Sequence, residues 1–139
     1  MNNDLCRARQ MLEEGGYTCV LCRAEQIHTS IARGVRPLLE LLDNGSWAQF
    51  CAADKVVGKA TAFLYVLLQI RAVYTPVISE AALDVLTRHG VDVQYQISVP
   101  AILNRRKDGF CPMETAVRDV DSPNEALPKI RATYLALNS

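Results

Sequence analysis

Nothing in this chain is long and apolar enough to cross a bilayer. The longest apolar stretch, Ala60 to Ile70, falls short of the roughly 20 residues that a membrane helix needs. The opening Met-Asn-Asn-Asp-Leu-Cys-Arg-Ala-Arg has no apolar core of signal-peptide length. Neither charge is in surplus: 15 Lys and Arg balance 15 Asp and Glu. No global field therefore draws the protein to nucleic acid or to an anionic membrane. A disulfide framework is missing too, because five cysteines spread over the whole length are an odd set and read as free thiols of a reducing compartment. Repeats and linkers are lacking. These absences predict a cytoplasmic chain forming one domain over residues 1–139, with partners recognised locally.

What is present is a supply of core. Half of the 139 residues are apolar, and a domain of this size buries roughly two thirds of its unfolded surface without disulfide or metal. The pair Cys19-Val-Leu-Cys22 invites a zinc or redox reading. It falls in a segment, Tyr17 to Cys22, that reads as a strand, where side chains three apart point to opposite faces. No second Cys or His pair completes a four-ligand site, so no metal or cofactor is expected.

Leu5, Ala8, Met11 and Leu12 recur at helical spacing from Asn3 to Glu14, and Gly15-Gly16 supplies a stop. Tyr17 to Cys22 and Gln26 to Ala32 read as an antiparallel hairpin ended by Gly34. Pro37 suits the first turn of a helix from Val35, closed by Asn44-Gly45. A third strand is predicted over Trp47 to Ala53. The run Lys55 to Ile70, apolar nearly all round, reads as a central helix covered on most sides. Arg71 to Ile78 follows as a buried strand, Ser79 to His89 as a helix ended by Gly90, and Asp92 to Val99 as another strand. Asn104 to Gly109 is a polar, basic loop in which Arg105-Arg106-Lys107 reads as a solvated turn. Cys111 to Asp119 reads as a short helix, and Ser122-Pro-Asn-Glu125 as the capped start of a last helix reaching about Leu137. Strands alternating with helices imply parallel pairing by crossovers. The fold class is therefore α/β, a three-layer α/β/α sandwich with a mixed sheet of about five strands.

In such sheets ligands bind at the carboxyl ends of the strands. Two strand-to-helix turns are in view. In Ala52-Ala-Asp-Lys-Val-Val-Gly-Lys59, Asp54 is expected to cap the central helix, Lys55 and Lys59 to share one face of it, and Gly58 to allow close approach of a ligand or backbone. Free amides and two ammonium groups would make an anion site. In Tyr74-Thr-Pro-Val-Ile-Ser-Glu80, Ser79 can cap the next helix while Glu80 favours its positive end. A third feature is Gly109-Phe-Cys-Pro-Met-Glu114. There Cys111 stands near a helix N-cap, where amides favour a thiolate, and Glu114 either accepts a proton or completes a capping box.

The sequences Ala-Asp-Lys-Val-Val-Gly-Lys-Ala60, Val-Tyr-Thr-Pro-Val-Ile-Ser-Glu-Ala-Ala82 and Cys-Pro-Met-Glu114, in this order of elements, resemble a prokaryotic family of unknown function with a cytidine-deaminase-like fold. The resemblance covers nearly the whole chain and implies a groove at the edge carrying Asp54, Lys55, Lys59, Ser79 and Glu80, reached by Cys111 and Glu114. True zinc deaminases carry His-x-Glu or Cys-x-Glu at one helix start and Pro-Cys-x-x-Cys at the next. This chain has Asp54, Lys55 and Lys59 at the first and Ser79-Glu-Ala-Ala82 at the second, so zinc-dependent deamination is not expected. The leading expectation is a metal-free domain binding a small anionic or nucleotide-like ligand. One alternative is an enzyme with Cys111 as nucleophile or Lys59 as amine, Asp54 or Glu114 moving protons. Another is a regulatory module assembling into homo-oligomers through exposed Trp47 and Phe50.

Overall fold

The computed structural model describes residues 3–32, 34–103, 109 and 111–138; the basic turn Arg105-Arg106-Lys107 lies outside them. Helix α1 spans Asn3–Gly15, and the hairpin strands are β1, Cys19–Arg23, and β2, Gln26–Ser30. Then come α2 at Arg36–Asp43, β3 at Cys51–Asp54, β4 at Val56–Val57 and α3 at Lys59–Leu67. The remainder is β5 at Ala72–Ser79, α4 at Glu80–Arg88, β6 at Asp92–Val99, α5 at Pro112–Ala116 and α6 at Pro123–Leu137. No helix among the described residues is long and apolar enough to cross a membrane.

The sheet is mixed. β1 pairs antiparallel with β2 and β3, whereas β3, β4 and β6 all run parallel to β5. β3 and β4 are two stretches of one path along β5. Ala53 faces Tyr74 and Val56 faces Val77, so the register is unbroken while pairing lapses at Asp54 and Lys55. That lapse sets Lys55 opposite Pro76, which has no N–H for a ladder and is tolerated inside a sheet only where pairing is interrupted. The Lys55 amide instead donates to the Thr18 carbonyl oxygen at 3.2 Å.

Each face of the sheet has its own core. On one, Leu5, Ala8 and Leu12 of α1 pack on Val20, Cys22, Cys51, Ala53, Ala72 and Tyr74. On the other, α2 to α6 close over Cys19, Leu21, Ala52 and Val73. Cys19 and Cys22 thus serve opposite cores, as a strand requires. The centre of the larger core is α3, with Ala60, Ala62, Phe63, Leu64 and Tyr65 all buried.

Several boundaries differ from those predicted. The central helix begins at Lys59 rather than Lys55, because the β-branched pair Val56-Val57 joins the sheet beside Val77 and Ile78 and Gly58 becomes the N-cap. It ends at Leu67, before Gln69 turns into the left-handed region at φ 62°. The third strand starts at Cys51 rather than Trp47, since the Trp47 indole donates to the carbonyls of Leu41 at 3.1 Å and Asn44 at 2.7 Å and so closes the end of α2. Ser122 occupies the N-cap of α6, but its side chain makes no capping bond. Nor are Trp47 and Phe50 exposed. Phe50 is 2 % accessible, and Trp47 packs edge-on against it and against His28.

Truncating the centre of the larger core should be costly. Phe63→Ala is expected to lose about 3–5 kcal/mol. Arg131→Ala, which breaks an exposed pair with Asp43 at 3.1 Å, should cost less than about 1 kcal/mol. Chemical denaturation of both variants checks the contrast.

Candidate functional site

The interruption between β3 and β4, the start of α3 and the start of α5 meet around a cavity of about 400 Å³. Its apolar wall comes from Val35, Pro37, Leu38, Ile102 and Met113. Asp54, Lys55, Gly58, Thr61, Cys111 and Glu114 add polar or reactive groups. Of the residues singled out in the sequence, five therefore share one cavity: Asp54, Lys55, Gly58, Cys111 and Glu114. A neighbouring depression of about 340 Å³ is lined by Lys59, Ser79, Ala81, Pro100, Ala101, Glu114, Thr115 and Arg118. Glu114 borders both. Glu80 is exposed in the first turn of α4 and lines neither.

The capping scheme is not the one predicted. Asp54 does not cap α3; four residues separate it from the helix start. The cap arrives from the far end of the chain. Glu114 accepts from the amides of Lys59 at 2.9 Å and Ala60 at 3.1 Å, one with each carboxylate oxygen. An anion thus already sits where the amides and dipole of α3 favour one, and it belongs to the protein. Gly58 is required by space rather than by its backbone angle, which is extended at φ −97°. A Cβ there would stand 2.7 Å from the Glu114 carboxyl carbon. The glycine's role was legible as close approach, but the approaching group is a side chain of the same chain.

Nor do Lys55 and Lys59 share a helix face. Lys55 is an exposed residue in the break between β3 and β4, whereas Lys59 is the first residue of α3. The Lys59 ammonium donates to the Arg118 carbonyl at 3.0 Å and lies over the Phe63 ring, 5.7 Å from its centroid. Ser79 does cap its helix as predicted, its hydroxyl accepting from the Ala82 amide at 3.1 Å. Cys111 is the N-cap residue of the five-residue α5 and is half-buried; its amide donates to the Ile102 carbonyl at 3.1 Å.

Tyr65 was not among the residues expected at this site. Its hydroxyl, fully buried, donates to Asp54 Oδ2 at 2.6 Å and lies 3.3 Å from Cys19 Sγ. Asp54 also accepts from the backbone amides of Lys55 and Val56. A polar tyrosine within an apolar helix was the available signal: a buried hydroxyl needs a partner, and Asp54 is the acid that the topology brings within reach. Among the described residues no group of three or more His, Cys, Asp and Glu is arranged to hold a metal ion.

The profile of a domain of unknown function, DUF1893, matches residues 7–133. The chain belongs to the DUF1893 family. A solved structure of a DUF1893 family protein from Thermotoga maritima superposes with a TM-score of 0.86 at 25 % identity, covering 98 % of this chain and 92 % of that one. No curated protein matches the sequence.

In this DUF1893 chain the Asp54 carboxyl is held in an unusual state. Desolvation raises its pKa from 3.8 to about 6, against the opposing pull of Tyr65 and the amides of Val56 and Lys55. Burial likewise pushes the Cys19 thiol and the Tyr65 hydroxyl up, with the Asp54 charge adding to both, so near neutrality each keeps its proton.

Two outcomes are expected. The folded state holds a proton at Asp54 that the unfolded chain releases, so this group's stabilising contribution is complete below pH 3.8 and is lost as the pH rises through 6. Asp54→Asn should remove that loss, gaining about 1–3 kcal/mol on wild type between pH 4.5 and 7.5. Urea unfolding across that range is the check, and parallel curves for the two proteins would refute it. Second, Glu114→Ala should cost about 1–2 kcal/mol by exposing the helix start, and Gly58→Ala a similar amount by displacing the same carboxylate. Because both remove one cap, the double variant should cost clearly less than the sum.

Proposed function

We propose that this protein binds a small polar organic molecule whose body occupies the cavity beside Asp54 and whose anionic group lies toward Lys59 and Arg118, a nucleotide-like division. The observation that carries this reading is the cavity itself. Its volume of about 400 Å³ falls within the range of small-molecule sites, and its apolar wall with a few convergent polar groups is the usual composition of one. It lies at the edge where β3 and β4 hand over to α3, the position at which open α/β sheets bind ligands. The deaminase-like resemblance belongs to the same reading, as a guide to location rather than chemistry. Lys59 and Arg118 on the far side of Glu114 favour the anionic half, and Ser79 at the start of α4 supplies a polar wall there. In this reading Lys55 contacts the ligand from the rim.

A second reading, covalent chemistry at Cys111, rests on that thiol lining the same cavity as Asp54 and Glu114. Turnover of any bound compound that disappears in Cys111→Ser would replace binding with catalysis.

The test is a thermal-shift screen of nucleotides, nucleosides, amines and small phosphates. A ligand at a hundredfold excess over its Kd stabilises by about 2.7 kcal/mol, a rise of several degrees for a chain of this length. The rise should vanish in Cys111→Phe, which fills the cavity from its rim, and shrink for anionic compounds in Lys59→Ala. Absence of a shift with every class, or an equal shift in the filled variant, removes the cavity from consideration.

A further inference from the structure

We infer that the ligand of this cavity presents a hydrogen-bond-donating nitrogen, an amine, amidine or amino-substituted ring, to the side chain of Asp54. The inference rests on the cavity being a ligand site and specifies which chemistry it selects.

The charges around the cavity decide the class. Among the described residues two carboxylates line it, Asp54 and Glu114, against one ammonium, Lys55, which is exposed. Glu114 has both oxygens engaged by the amides of α3. Asp54 has only neutral donors: the Tyr65 hydroxyl at 2.6 Å and the backbone amides of Lys55 and Val56. Among the described residues no ammonium or guanidinium makes an ion pair with it. A carboxylate drawn partly out of water without a countercharge is costly, and a carboxylate has room for about four accepted bonds. A cationic N–H-bearing ligand meets both conditions and a neutral N–H donor the second, whereas a second anion at this end would meet two carboxylates.

Tyr65 holds the acid from behind. Its proton is committed to Oδ2 and Cys19 lies on its other side, while Asp54 lines the cavity with acceptor capacity to spare. Among the described residues the titratable groups around Asp54 are Cys19 on β1, Tyr65 on α3, Lys55 in the break after β3, and Cys111 and Glu114 at α5. Cys19 and Tyr65 stay protonated near neutrality because burial raises both. Asp54 itself titrates at about 6. A permanently cationic ligand therefore gains the ionised acid as the pH rises, and its affinity should grow about tenfold between pH 5 and 7.

The experiment uses benzamidine, benzamide and benzoate, three probes of one shape and different charge, titrated into the full chain by calorimetry and by amide chemical-shift mapping at pH 5, 6 and 7. Benzamidine is expected to bind with shifts at Thr61 and Met113, to gain about tenfold with pH, and to lose both the binding and the pH dependence in Asp54→Asn. That variant keeps the shape of the side chain and an oxygen for Tyr65. Glu114→Gln should retain the pH dependence, separating the two acids. Benzoate binding in the cavity while benzamidine does not, or benzamidine binding that is unchanged in Asp54→Asn, overturns the donor class and leaves the cavity as a site for something else. If no probe of any charge binds and the thermal screen is also silent, the cavity reading falls with it.

Discussion

The carboxylate of Glu114 on the first two amides of α3 is the contact around which the site is arranged. A helix as apolar as α3 must be enclosed on most sides, so its N-terminal N–H groups cannot all turn to water, and unmade bonds there are costly. The chain meets this with a residue 54 and 55 positions away. The arrangement draws α5 against the start of α3, forms one wall of the cavity and places Cys111 at its rim. It also explains Gly58, since any larger residue would stand where the carboxylate does.

A second constraint runs through β5. Pro76 cannot sustain a continuous ladder, and the strand beside it is broken at that level into β3 and β4. The break releases Asp54 from pairing with β5, while on its other side it still faces Cys19 of β1. There the carboxyl meets the Tyr65 hydroxyl. A buried hydroxyl and a half-buried acid are each unfavourable alone; together they satisfy one another, and desolvation keeps the pKa of the acid raised. A single imino acid in a central strand is thus linked, through register, to the ionisation of a residue on the neighbouring strand.

The elements were legible where periodicity and punctuation were strong. Leu5, Ala8 and Leu12 marked α1, Gly90 closed α4, and the alternation of strand and helix after Asp54 gave a mixed sheet covered on both faces. Ser79 was recognisable as a cap because its helix follows at once. What could not be read was whatever depends on distant pairing. Asp-Lys-Val-Val-Gly-Lys59 has the look of a capped helix start, yet Val56 and Val57 gain more by joining β5, which moves the helix start by one turn and separates Lys55 from Lys59. The partner of Tyr65 and the true cap of α3 are tertiary contacts spanning 11 and 55 residues, invisible to local spacing. Trp47 and Phe50 are covered for a similar reason: an aromatic pair in a short turn is as ready to close a helix end as to face solvent.

These contacts also divide the charge at the sheet edge. Had the first turn of α3 been free, it would have been the natural place for a phosphate, and the two lysines its companions. With Glu114 installed there, the helix dipole is answered internally, and the cationic groups Lys59 and Arg118 are left on one side of that carboxylate with Asp54 on the other. A ligand reaching across Glu114 would therefore meet opposite preferences at its two ends, donor toward Asp54 and anion toward Lys59. Selectivity of that kind needs no metal and no mobile lid. It follows from which side of one capping side chain each charged residue was folded to.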